Sequence, residues 1–147
     1  MQRHKNRDIA NSDFEKAALA GIIKYGDKVF YDIAALLKSD EFFFPENQIL
    51  FGILTGLVGE NVKNIDTVSI LSKIKQLDKT LLDQYQYTDY LKELGQIVLF
   101  EENAVNFAKK VLKLGIARRL ITQLNSSIEG LYNTTGDESV LDIVNSV

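Results

Sequence analysis

Few residues in this sequence are equipped for chemistry. There is no cysteine, which removes disulfides, thiolate metal sites and thiol nucleophiles. The single histidine, His4, lies in a polar N-terminal stretch, so a metal site is not expected there. The carboxylate pairs Glu101-Glu102 and Asp137-Glu138 both fall at expected helix starts, where the helix dipole favours negative charge without any catalytic role. No G-x-x-x-x-G-K-[ST] and no G-x-G-x-x-G is present, so the phosphate-cradling loops are missing. With one histidine and no thiol, a nucleophile–base pair is hard to build, and catalysis by this chain is not expected.

Lys109, Lys110, Lys113, Arg118 and Arg119 form the densest basic cluster. On a helix, Arg118 points about opposite Lys109, so the cluster is not a coherent phosphate-binding stripe. Solvated or interface charges are the better reading. A net charge of −3 disfavours a dedicated nucleic-acid binder. Asn133-Thr134-Thr135 matches a glycosylation sequon, which carries no weight without a secretion signal.

The elements that must carry these residues read as helices throughout. The chain has 147 residues, 46% of them hydrophobic and one of them proline, enough for one domain with its own core. Ser12-Asp13-Phe14-Glu15 reads as a capping box, and Gly26 as the stop of the helix it opens. A second helix covers Val29 to Leu37. Ser39-Asp40-Glu41 forms a turn that feeds Phe42, Phe43 and Phe44 inward, and Pro45 opens a helix with Ile49, Leu50, Ile53, Leu54 and Leu57 on its period. Gly52 and Gly56 give that helix the spacing for a close helix contact. Asp66 caps a helix bearing Val68, Leu71, Ile74 and Leu77; a short piece covers Leu81 to Tyr85; Thr88 caps another with Tyr90, Leu91 and Leu94.

From Glu101 to Tyr132 the sequence predicts one helix of some 30 residues, roughly 45 Å long. Its apolar face changes along its length. Ala104, Phe107, Ala108, Val111, Leu114 and Gly115 share one side, whereas Leu120, Ile121, Leu124, Ile128 and Leu131 lie on another. Lys109 and Lys113 sit on the later apolar azimuth, Arg118 and Arg119 near the earlier one. Two faces in succession require two partners, so the first half should pack on a body and the second should project. Thr135-Gly136-Asp137-Glu138 reads as a further capping box before Val140, Leu141, Ile143, Val144 and Val147, completing a helical hairpin. That last stripe is still running at Val147, as expected of a helix cut short, or of a tail that frays. The fold expected is all-α: a compact helical body over residues 1–100, flexible over 1–11, then a projecting hairpin over 101–147. The longest apolar run, Ile49 to Val58, is too short for a membrane span, and no apolar stretch follows Arg3, Lys5 and Arg7 as a signal peptide would require. A cytoplasmic protein without a membrane partner is the expectation.

Several segments, taken in order, resemble the N-terminal domain of DnaB-type replicative DNA helicases. They are Glu15-Lys16-Ala17-Ala18-Leu19-Ala20-Gly21-Ile22-Ile23, Asp40 to Pro45 with Gln48-Ile49-Leu50-Phe51, and Ile65-Asp66-Thr67-Val68-Ser69-Ile70-Leu71. Tyr90-Leu91 with Leu94, Asn103 with Phe107-Ala108, and Arg118-Arg119-Leu120-Ile121 follow. The similarity covers about residues 9 to 147, through the ordered set rather than any single motif. Asn47 stands where the family commonly has histidine, Phe107 where it has tyrosine, and the glycine pair before Tyr90 is absent. The resemblance implies a collar domain that pairs through its hairpins and builds a hexamer. It implies docking of primase's C-terminal domain, contact with a helicase loader, and at most weak contact with single-stranded DNA. By the same resemblance Tyr90, Ile121 and Ile128 are partner-binding candidates, and Leu120, Leu124, Leu131, Val140, Leu141 and Val144 pack the hairpin or oligomer. No cofactor is expected in this chain; ATP and magnesium belong to a separate C-terminal RecA-like domain. A stand-alone phage or plasmid adaptor that binds helicase or primase is the alternative.

Overall fold

The computed structural model describes residues 8–62 and 64–147, so His4 and the N-terminal cluster Arg3, Lys5 and Arg7 lie outside the described residues. Among those described there are eight α-helices and no strand, the all-α class expected. In chain order they are α1 (Ser12–Tyr25), α2 (Asp27–Ala34), α3 (Pro45–Gly59), α4 (Thr67–Asp78), α5 (Thr80–Gln84), α6 (Tyr87–Gly95), α7 (Glu101–Tyr132) and α8 (Val140–Asn145). A 3-10 turn at Ser39–Glu41 links α2 to α3.

α1 is the axis of the body. Ala18, Leu19 and Ile22 are fully buried, and the helix lies along the first half of α7. Gly21 sets how near the two come, because a Cβ there would stand 2.2 Å from the Cβ of Ala104. The cap of α1 is Asn11, whose Oδ1 accepts the Phe14 N–H at 3.1 Å. Glu15 therefore does not close a box with Ser12. It shares a face with Ala18, Leu19 and Ile22 and is carried into the core, 2% exposed. Gly26 ends the helix as expected: its φ of 84° suits glycine, and its N–H donates to the Ile22 carbonyl at 2.8 Å.

Two further starts match the sequence. Pro45 occupies the first turn of α3, and the Asp66 carboxylate accepts the Ser69 N–H at 2.7 Å to cap α4. Three expectations are corrected. α6 begins at Tyr87 and not after Thr88, because Tyr87 is fully buried and its hydroxyl donates to the Glu46 carbonyl at 2.7 Å, which pins the start. α4 buries Ile70 and Ile74 rather than the whole Val68–Leu77 stripe; Val68 and Leu77 are exposed because only one narrow face of this peripheral helix is covered. Gly52 and Gly56 make no tight helix contact, since a Cβ at Gly56 would meet only the flexible Lys73 side chain at 3.5 Å. The close approaches are made at Gly21 and Gly115 instead.

α7 runs over the span expected of it. Ala104, Ala108, Val111 and Gly115 are buried against the body, with Phe107 and Leu114 half-buried beside them. Beyond Arg118 nearly every residue of α7 is exposed, and so is all of α8 except half-buried Ile143. The residues read as a second capping box close a turn instead. The Thr135 N–H donates to Glu138 at 2.9 Å, but Gly136 at φ 97° breaks the helical path, and Ser139 caps α8 by accepting the Asp142 N–H at 3.1 Å.

Candidate oligomer and partner surface

The change from covered to uncovered α7 is fixed by one cluster. Arg118 donates to the Glu41 carbonyl at 2.7 Å and to the Ile9 carbonyl at 2.6 Å, and its guanidinium stands 5.3 Å from the centre of the Phe43 ring. Arg119 pairs with the Glu41 carboxylate at 2.9 Å. Gly115 lets the turn approach the helix, because a Cβ there would lie 2.8 Å from Glu41 Oε2 and 3.3 Å from its carbonyl oxygen. Four parts of the molecule meet here: the segment before α1, the 3-10 turn, the aromatic segment after it, and α7. Arg118 and Arg119, expected as solvated or interface charges, instead fasten α7 to the turn carrying Glu41, a contact that exists only once that turn is folded onto the helix.

Beyond this cluster the second apolar face of α7 is largely uncovered among the described residues. Leu120, Leu124, Ile128 and Leu131 are 52%, 59%, 48% and 37% exposed, and Ile121 is 45% exposed. On α8, Val140, Leu141 and Val144 are exposed too. The candidates Ile121 and Ile128 thus lie on the same uncovered face as Leu120, Leu124 and Leu131. A row of exposed leucine and isoleucine at helical spacing is a candidate interaction surface.

Tyr90 is elsewhere, on α6 in the body. It is half-buried, and its hydroxyl is committed to the Asn47 side-chain carbonyl. Asn47 passes the chain on, donating from Nδ2 to Glu15 at 2.9 Å. Glu15 also accepts the Phe43 N–H at 2.8 Å and the Phe44 N–H at 3.4 Å. Burial first, and then the Glu46 charge, push the Tyr90 hydroxyl well above the ordinary tyrosine range, so it remains a neutral donor. Lys16 covers the ring at 5.9 Å and pairs with Glu93 at 2.7 Å. The structure therefore brings Ile121 and Ile128 onto one surface and keeps Tyr90 on another. The Glu15–Asn47 pair escaped the sequence reading; the signals for it were an acid on the apolar face of α1 and an amide opening an apolar helix.

No three His, Cys, Asp or Glu side chains among the described residues are grouped to hold a metal ion. Among the same residues, no helix is long and apolar enough to cross a membrane.

Comparison with known proteins agrees with this architecture. No curated protein matches the chain. Among solved structures, the crystal structure of the N-terminal domain of DnaB helicase from Mycobacterium tuberculosis matches at a TM-score of 0.80 and 20% identity, over 95% of this chain and 94% of that one. That likeness shows a shared fold. The DnaB-like helicase N terminal domain family matches residues 7–113, from before α1 into the packed half of α7. With that match spanning well over half of the sequence, the chain belongs to the DnaB-like helicase N-terminal domain family.

Proposed function

We propose that this chain is the collar domain of a replicative helicase, which assembles the oligomer and docks primase and has no catalysis of its own. The observation that carries the reading is the apolar face left open on α7 and α8, on a fold and family that belong to helicase N-terminal domains. Ile121, Leu124 and Ile128 are each roughly half exposed, and leaving such a face in water gains nothing for an isolated chain. Covered by a second copy, it becomes the interface of a dimer, the unit from which a hexameric collar is built. ATP and magnesium act in a separate motor domain, and the collar's part is geometric.

Primase contact is assigned to the body and the arm together, through Tyr90 on α6 and through Ile121 and Ile128 on α7. Tyr90 is half-buried and its hydroxyl is already satisfied, so its contribution to a partner is apolar. Sedimentation equilibrium on the purified chain, followed by titration with the C-terminal domain of primase, tests both roles. Concentration-dependent dimers that bind that domain are the expected result. A chain that stays monomeric at hundreds of micromolar and ignores primase would remove the proposal.

A further inference from the structure

The basic cluster of α7 divides in two once its arginines are accounted for. Arg118 and Arg119 are taken up by the 3-10 turn. Lys109, Lys110 and Lys113 remain. All three are exposed, and none lies within ion-pair distance of a carboxylate among the described residues. At about 100° per residue they fall within an arc of about 100°, with Asn106 between them. From Asn103 to Ile128 the sequence contains no acid. The exposed lysines of α4 are different, since Lys75 and Lys79 stand on either side of Asp78. On α7 the three lysines border a hollow of about 500 Å³, together with Asn103, Asn106 and Phe107. An aromatic pair lies beside it. The half-buried rings of Phe14 and Phe107 are 5.7 Å apart, and the Lys110 ammonium stands 5.0 Å from the first and 5.4 Å from the second. Uncompensated positive charge next to an apolar seat fits a ligand that carries both carboxylates and an apolar group.

We infer that this patch on the packed half of α7 binds a short acidic peptide segment of a partner protein. Its carboxylates meet Lys109, Lys110 and Lys113, and an apolar side chain lies on Phe14 and Phe107 as Lys110 turns outward. The site is on the body and does not depend on what covers the arm. A lysine ammonium is a point charge on a flexible stem, so Lys110 exchanges a ring for a carboxylate without disturbing the helix. The Asn103 and Asn106 amides supply donors and acceptors for the peptide backbone. The extent of the charge selects a peptide over a nucleic acid. Lys109 to Lys113 spans about 6 Å of helix. A single-stranded nucleic acid needs a basic groove that tracks its backbone and open aromatic faces for stacking. Here the rings already lie under Lys110. Glu101 and Glu102 bound the patch toward the start of α7, and Asp13 precedes Phe14 on α1. With a net charge of −3 on the chain, a long polyanion runs from three lysines into repulsion, whereas a segment with a few carboxylates does not.

The test uses the whole chain and a fluorescein-labelled synthetic peptide with four aspartates around one phenylalanine. Anisotropy should show saturable binding at about 0.01 M salt, where the screening length is about 30 Å, and at least tenfold weaker binding at about 0.1 M, where it is about 10 Å. Lys109→Gln, Lys110→Gln and Lys113→Gln together should weaken binding at least tenfold at low salt, with a thermal midpoint near that of wild type because all three positions are exposed. Lys110→Met keeps an apolar stem on the rings and loses only the charge, so alone it should weaken binding several-fold. Lys75→Gln with Lys79→Gln removes charge elsewhere and should change nothing. In the probe, alanine for phenylalanine should cost several-fold, and asparagine for the aspartates should abolish binding. Leu124→Asp, which disables the arm face, should bind the peptide as wild type does, so failure of self-association and failure of this site are told apart. A probe that does not bind at about 0.01 M salt, equal losses in the α4 and α7 lysine variants, or an oligothymidylate that binds through Lys109, Lys110 and Lys113 more tightly than the peptide would each overturn the inference.

Discussion

The body and the outer half of α7 are made of the same residues and differ in what lies over them. Leu54 on α3 is fully buried, while Leu124 on α7 is 59% exposed. Both sit at regular helical spacing in apolar patterns, so periodicity alone ranks them equally. The body closes on itself because α1 offers a glycine where α7 offers an alanine, and the helices meet at backbone distance. Among the described residues, the outer half of α7 has no such neighbour. Burial in this molecule is decided by which helices can approach one another, and small residues decide that.

Breaking the approach should give the largest effect. Gly21→Val places a branched side chain where even a Cβ would be 2.2 Å from Ala104. α1 and α7 cannot both keep their positions, and the loss should be about 3 kcal/mol or more. Chemical denaturation would show it as a large fall in midpoint, and a midpoint close to wild type would mean that the α1–α7 contact is not what closes the body. A matched pair sharpens the comparison. Leu54→Ala removes a fully buried side chain and should cost about 3 kcal/mol. Leu124→Ala should stay within about 0.5 kcal/mol when measured at a concentration where the chain is monomeric. Similar losses in the two would erase the distinction between body and arm. Ile121→Asn is the intermediate case. On a face 45% exposed, an amide is not buried without partners, so thermal stability should barely move while self-association or primase binding weakens at least tenfold. Stability that collapses would place Ile121 inside the chain's own packing, and unchanged binding would remove it from the interface.

Much of the fold was legible because helix punctuation is local. Gly26, Pro45 and Asp66 act within a turn of their own position, and each does what its residue type dictates. The span of α7 was legible for the same reason, since nothing between Glu101 and Tyr132 interrupts a helix. What the sequence hid is long-range. Glu15 reads as a capping acid until Phe43, Phe44 and Asn47 are brought to it from some thirty residues away in the chain. Arg118 and Arg119 read as surface charges until the turn holding Glu41 reaches them. Two starts were displaced by similar causes. Tyr87 is anchored by a carbonyl on α3, and Glu138 is drawn back to Thr135 across a glycine of positive φ. Of the candidate surface, the apolar face could be read from spacing. That Tyr90 lies apart from Ile121 and Ile128 could not, because it depends on how α6 packs against α1.

Acid pH offers the gentlest separation of the two regions. Asp66 and Glu138 are both exposed carboxylates held below their ordinary values, Asp66 chiefly by the Ser69 backbone N–H and Glu138 chiefly by the Thr135 side chain and then its N–H. A carboxylate with a depressed folded value adds stability that is present above its unfolded value and lost as pH falls through the folded one. The window for Asp66 therefore opens near 3.8 and extends below it. Only Asp66 starts a helix of the body, since Ile70 and Ile74 of α4 are buried in the core. Asp66→Asn retains a capping oxygen but does not titrate. It should flatten the acid limb of the body's unfolding curve by a small, measurable amount, while Glu138→Gln should leave that limb unchanged. Equal flattening by the two variants in a pH series of thermal melts would mean that α8 and its turn unfold with the body, so that the arm is cooperative with the core although little of it is covered.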